Sequence, residues 1–235
     1  MAKIALITGG TSGIGLAVAK DLSLTDSWQV NIIGSNQERG EEAAASFSNV
    51  TFYQADVRNY QQLAAVFDQI FNAAGRIDFV FANAGRAGDT DFFAKCETGI
   101  PPDPGFEIVD INVNGAFTKH ALVGFTRSVG ERLWEEGVRI NALCPGVVET
   151  PLFSVEAFTS IFPREIFIPM SVVTGIIAQL LSGGDMVDAK GMRVAGEEMH
   201  SRAIHVSGEN FLFIEKPGIY DEQTRMTWAA MMGHE

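Results

Sequence analysis

The chain is poor in cysteine, tyrosine and basic residues, and it has no long apolar run. Two cysteines in 235 residues, Cys96 and Cys144, cannot build a disulfide framework and read as idle thiols in a reducing compartment. Seventeen Lys and Arg against 29 Asp and Glu give a net charge of −12, which argues against a nucleic-acid backbone or an anionic membrane as partner. No spacing of Cys, His and Asp suggests a zinc site. No apolar run reaches the ~18 residues of a membrane span. The N-terminus runs straight into a strand and a glycine loop, unlike a signal peptide. These shortages point to a soluble cytoplasmic protein. Of the three tyrosines, Tyr53, Tyr60 and Tyr220, none has a lysine four residues on.

What is present fits a folded globule. Hydrophobic residues make up 46% and charged residues 20%, so disorder is not expected. The length suits one domain over residues 1–235.

The first third alternates between two periods. Short apolar strands are predicted at Lys3–Thr8, Trp28–Gly34, Val50–Ala55 and Ile77–Ala82. Helices are predicted between them, at Gly13 to about Leu24, Gln37–Phe47 and Tyr60–Ala74. That alternation implies an α/β fold, a doubly wound parallel sheet with helices on both faces. Further on, Phe106–Trp134 reads as one helical stretch of about 30 residues, well beyond the usual ~11–12. A strand is predicted at Val138–Leu143, a helix at Ser171–Leu181, and a strand or strand pair at Ala203–Ile214 broken by Gly208. About fifty-five residues between the strands at Ile77 and Val138 hold no credible strand, where a doubly wound sheet would place one.

Thr8-Gly9-Gly10-Thr11-Ser12-Gly13-Ile14-Gly15 lies between the first strand and the first helix. Glycines there let the backbone turn sharply and approach a pyrophosphate, and the helix N-terminus supplies unpaired N–H groups and a positive partial charge. Gly9, Thr11, Ser12, Gly13, Ile14 and Gly15 are the expected contacts.

The spacing Gly-x-x-x-Gly-x-Gly resembles the short-chain dehydrogenase/reductase family, classical type, and four further segments agree. Asp56-Val57 follows the third strand, where the family contacts adenine. Asn83-Ala84-Gly85 ends the fourth strand and matches its Asn-Ala-Gly motif. Asn112-Val113-Asn114-Gly115 matches its helix motif, whose first asparagine is catalytic. Cys144-Pro145-Gly146-Val147-Val148-Glu149-Thr150-Pro151 matches its Pro-Gly segment. There the Val148 and Thr150 positions flank the nicotinamide, beside Pro145 and Gly146. Read without the family, Asp56 is a strand-end turn residue, Asn83 ties the sheet edge and Thr150 is a helix N-cap.

The resemblance implies a Rossmann-like oxidoreductase that moves hydride between a nicotinamide and an alcohol or ketone. An acidic residue at the end of the second strand would favour NAD. Gly34, Ser35 and Asn36 stand there, so NADP is favoured over NAD, with Ser35 and Asn36 as donors to a phosphate. The loop at 153–169 carries Phe153, Phe158, Ile161, Phe162, Ile166, Phe167 and Ile168. It reads as a lid over a hydrophobic small-molecule substrate or as residues packed on the core. Family members commonly form homo-oligomers through helices that are interrupted here.

One departure is large. In the family a serine orients the substrate, a tyrosine is the general acid/base, and a lysine four residues on binds the ribose and lowers the tyrosine's pKa. Lys119 matches the lysine, but the tyrosine position is Gly115. Asp110–Phe117 resembles the first half of one family helix, and Thr118–Ser128 resembles the next helix, beginning just after the tyrosine. Half a helix, a strand, the serine and the tyrosine are missing together. The alternative function is therefore a cofactor-binding relative without catalysis, or a truncated isoform.

Overall fold

The computed structural model describes residues 1–85, 116–151 and 163–215, with residues 116–121 described by their backbone alone. Asn112, Cys96, Tyr220 and most of the expected lid lie outside the described residues.

The N-terminal half is a four-stranded parallel sheet. Its strands are β1 (Lys3–Thr8), β2 (Trp28–Gly34), β3 (Val50–Gln54) and β4 (Phe79–Ala82), ordered β3-β2-β1-β4. The helices between them are α1 (Gly13–Ser23), α2 (Gln37–Ala45) and α3 (Tyr60–Ala74). Asn36 and Asn59 start α2 and α3 by accepting from the backbone N–H groups of Arg39 (2.8 Å) and Gln62 (3.1 Å). β1 is apolar on both faces, as a central parallel strand must be. Its alternate side chains serve different cores: Ala5 and Ile7 join Val18, Val30 and Ile32, while Ile4 and Leu6 join Ile33, Val66 and Ile70 under α3. This is the Rossmann-like α/β arrangement with a parallel sheet.

The second half builds a separate sheet. Helix α4 (Ala116–Glu135) leads to β5 (Asn141–Pro145), and α5 (Met170–Ser182) follows. Strands β6 (Met186–Val187) and β7 (Arg193–Val194) form a small antiparallel pair. β8 (Arg202–Ser207) and β9 (Asn210–Ile214) complete a three-stranded sheet ordered β5-β8-β9. The last segment is thus a strand pair, joined by the two-residue turn Gly208-Glu209.

β4 and β5 do not pair. Among the described residues, each has one edge without a strand partner. The two sheets share one core all the same. α1 packs on α5, and Ile7 and Ile32 belong to the same apolar cluster as Val148, Val173, Ile176, Ile204 and Phe213.

Several element ends shift by one or two residues, β4 starting at Phe79 rather than Ile77 among them, and two differences are larger. β5 begins at Asn141 rather than Val138, because α4 ends in a Gly137 turn (φ +79°) where Val138 N–H returns to the Leu133 carbonyl at 2.8 Å. The β6–β7 pair was not anticipated. Asp188 builds it: its carboxylate accepts from the N–H groups of Lys190 and Met192 at 2.9 Å and of Phe213 at 3.1 Å. Burial opposes ionisation there, but those three donors, with Lys190 nearby, hold the Asp188 carboxyl below its usual range.

Candidate functional site

The glycine loop leaves the C-terminal end of β1 and is fastened on both sides. Gly9 and Gly10 donate to the Ile33 carbonyl at 2.9 and 3.3 Å, which ties the loop to β2. Toward β4, Thr8 Oγ1 accepts from the N–H groups of Asn83 and Ala84, both at 3.1 Å. The Asn83 side-chain amide donates back to the carbonyls of Thr8 (3.3 Å) and Gly9 (3.4 Å). Asn83 therefore holds the sheet edge to the loop, the role read for it without the family.

The loop's glycines are required by space. Gly9 has φ +65°, and a Cβ on it would lie 2.8 Å from Ala84 Cα. A Cβ on Gly15 would collide with the Gly9 carbonyl oxygen and stand 2.6 Å from Asn83 Nδ2. A Cβ on Gly13 would meet Thr150 Cβ at 3.3 Å, so the loop abuts the Pro-Gly segment. Ser12 stands at the N-cap of α1, makes no side-chain cap hydrogen bond, and is followed by no acidic residue in the first turn. The first-turn N–H groups thus face a bare backbone cradle without negative charge. Such a helix N-terminus suits an anion such as a pyrophosphate.

The other expected residues fall as follows. Ser35 is exposed at the end of β2, and its carbonyl accepts from Gln54 Nε2 at 3.2 Å. Asn36 spends its side-chain oxygen on the cap of α2. Asp56 follows β3, with its carboxylate clasped by Arg58 through the backbone N–H (3.0 Å), Nε (3.0 Å) and Nη2 (2.6 Å). Val57 beside it is exposed. Pro145 closes β5, and Gly146 N–H donates to the Val206 carbonyl at 3.1 Å. Val148 is buried in the core and bridges Ile168. Ile14 belongs to the first turn of α1 and packs on the core cluster. Ala84 and Gly85 follow β4 and are exposed. Lys119 lies on α4.

Neither described tyrosine is near the β4 side of the loop. Tyr53 is on β3, two strands from β1 on the opposite side, and Tyr60 opens α3, exposed. Of the expected lid, Ile168 is buried on the core and Ile166 is exposed.

Two residues escaped the sequence reading. Thr8 looks like the polar end of a strand, and its hydroxyl's two donors arrive from 75 and 76 residues later. Arg58 had a signal in the Asp-x-Arg spacing after β3.

A family model described as short chain dehydrogenase matches residues 3–118. A second, described as enoyl-(acyl carrier protein) reductase, matches residues 108–164. A short-chain dehydrogenase/reductase of Penicillium rubens is 31% identical over 265 residues, covering 90% of this chain and 94% of that protein. Since 90% of this chain is only about 212 residues, about fifty of the 265 aligned positions are not filled by this chain. Two solved structures share the fold. The 3-ketoacyl-(acyl-carrier-protein) reductase of Brucella melitensis complexed with NADH has a TM-score of 0.67 at 20% identity, covering 88% of this chain and 97% of that one. A short-chain dehydrogenase of Burkholderia cenocepacia in complex with NADP has a TM-score of 0.66 at 21% identity, covering 88% and 96%.

Proposed function

Because the chain belongs to the short-chain dehydrogenase/reductase family, we propose that it binds NADP in the glycine cradle and transfers hydride between the nicotinamide and a hydrophobic alcohol or ketone. The nicotinamide supplies or accepts the hydride when bound. The chain's own part is to hold and orient it. Gly9, Gly13 and Gly15 let the loop pack closely against Ala84, Asn83 and Thr150, and Asn83 fixes it against β4. Thr11, Ser12 and Ile14 carry the turn into α1. Asp56 and Val57 take the adenine side. Pro145, Gly146, Val148 and Thr150 form the wall on the nicotinamide side, and Lys119 and Asn112 serve the ribose and the reacting end. The absence of an acid at Gly34 and Ser35 favours NADP. The exposed Ile166 suits an apolar substrate.

The observation that carries this reading is the N-terminus of α1, without a side-chain cap or a first-turn acid, behind a glycine loop packed closely onto the end of β4. Titration of purified protein with NADPH and NADH, followed by nicotinamide fluorescence, tests it. Tighter NADPH binding is expected, and clearly tighter NADH binding would overturn the cofactor preference.

A second reading has its own observation. Gly115 stands where the acid/base tyrosine is required, and the alignment with the Penicillium protein contains about fifty positions that this chain does not fill. On that reading the chain binds the dinucleotide without turnover. Oxidation of NADPH with a panel of apolar ketones separates the two: turnover selects the oxidoreductase, and binding without turnover selects the inactive relative. A transcript with no extra coding segment between Phe117 and Thr118 would establish the short chain as the real product.

A further inference from the structure

The end of β2 is where a dinucleotide-binding fold places the residue that meets the adenosine ribose. An acid there accepts from the 2′-hydroxyl and repels a 2′-phosphate. In this chain the position is Gly34, and the space above it is filled. A Cβ built on Gly34 would stand 2.7 Å from Thr11 Cγ2 and 3.1 Å from Thr11 Oγ1. The Thr11 side chain is β-branched and stiff about its first torsion, and the backbone beside it is held. The neighbouring Gly10 lies so close to Ile32 that its own Cβ would meet Ile32 Cβ at 2.7 Å, and Gly10 N–H is held by the Ile33 carbonyl at 3.3 Å. The β2 side is fixed as well: the Gly34 carbonyl accepts from Ala55 N–H at 3.1 Å, and the Ser35 carbonyl accepts from Gln54. Loop and strand end are thus pinned on both sides of one crowded contact.

We infer that Thr11 and Gly34 are a coupled specificity pair. Thr11 excludes every side chain, an acid included, from position 34, and so keeps the ribose 2′ position free of negative charge. The inference rests on the reading that the cradle takes NADP. It adds Thr11 as the residue that makes the preference hard to reverse by a single substitution. Its hydroxyl, 3.1 Å from the Cβ position, is also the polar group nearest to where the acid would stand.

A double-mutant cycle tests this, with NADPH and NADH dissociation constants and thermal midpoints read on the same proteins. The variants are Gly34→Asp, Thr11→Gly and the two together, with Gly34→Ala and Thr11→Gly/Gly34→Ala as an uncharged pair. Gly34→Asp alone is expected to lower the thermal midpoint and weaken both nucleotides by about tenfold or more, the factor that corresponds to losing one good charge-assisted contact. Thr11→Gly/Gly34→Asp is expected to recover the midpoint and to bind NADH more tightly than NADPH. Gly34→Ala is expected to lose stability only when Thr11 is present. The coupling is overturned if the midpoint changes add, or if Gly34→Asp alone keeps the wild-type midpoint and turns toward NADH. A wild-type protein that binds NADH more tightly overturns the cofactor reading and the specificity half of the pair. The Gly34→Ala cycle still reads the steric contact in that case, so the two failures are distinguishable.

Discussion

Thr8 and Asn83 are joined in both directions. The Thr8 hydroxyl accepts from the Asn83 backbone N–H at 3.1 Å, and the Asn83 side chain donates to the Thr8 carbonyl at 3.3 Å. This clasp spans β1 and β4 at the level where the phosphate loop begins. It is the contact that holds the cradle to an edge strand with no strand partner on its other side among the described residues.

Thr8→Val keeps the shape and removes the acceptor. The Asn83 and Ala84 N–H groups then lose their partner in a partly buried place. A loss of about 1–3 kcal/mol is expected, toward the lower end because Ala84 is exposed. Urea unfolding measures it. NADPH affinity should fall as well, because the loop loses its anchor; an unchanged affinity would separate the clasp from the site.

Gly15→Ala should lower stability as well as damage the site. Alanine favours a helix by about 1 kcal/mol over glycine, which offsets only part of the ~1–3 kcal/mol that such overpacking costs. The added Cβ would press on the Gly9 carbonyl and Asn83 Nδ2. At least about a tenfold loss of NADPH affinity is expected, equal to about 1.4 kcal/mol. Calorimetric titration at matched folded fraction reads it.

Asp188 makes stability depend on pH in a defined direction. Its carboxyl is held below its usual range in the folded state, so the unfolded chain takes up the proton more readily. The stability it contributes is present above the unfolded value near ~3.9 and is lost as pH falls through the lower folded value. Thermal midpoints from pH 7 downward should therefore drop more steeply below about pH 5 in wild type than in Asp188→Asn. At pH 7 the variant should be the less stable protein. Equal slopes would remove Asp188 from the acid response.

The edges of β4 and β5 that have no strand partner among the described residues carry a cost. Unpaired, partly buried backbone groups cost about 1–3 kcal/mol each, against a total stability of only about 5–15 kcal/mol. The chain should melt below a relative that carries the missing strand, with a midpoint under the ~45–65 °C of ordinary mesophile domains. A cooperative transition inside that range would count against the cost.

Much of the first half was legible because each element announces itself locally. Trp28–Gly34 and Tyr60–Ala74 have the bounds that their apolar patterns indicate, since a buried parallel strand and an amphipathic helix leave unmistakable periods. The glycine loop was legible for the same reason: Gly9 and Gly15 sit where no side chain fits. What escaped depends on distant partners. The β6–β7 pair has two-residue strands with no period, held by an Asp188 whose donors include Phe213, 25 residues on. The start of β5 depends on how Gly137 unwinds α4. Thr11 over Gly34 and Thr8 under Asn83 are contacts between elements, and each residue alone looks ordinary.

The most direct measurement is a fluorescence titration of NADPH with the purified, folded chain. The account predicts saturable enhancement of nicotinamide emission, tighter for NADPH than for NADH, at least about tenfold weaker in Gly15→Ala and weakened in Thr8→Val. A flat titration from a protein that unfolds cooperatively would contradict the central claim that this chain binds a nicotinamide dinucleotide.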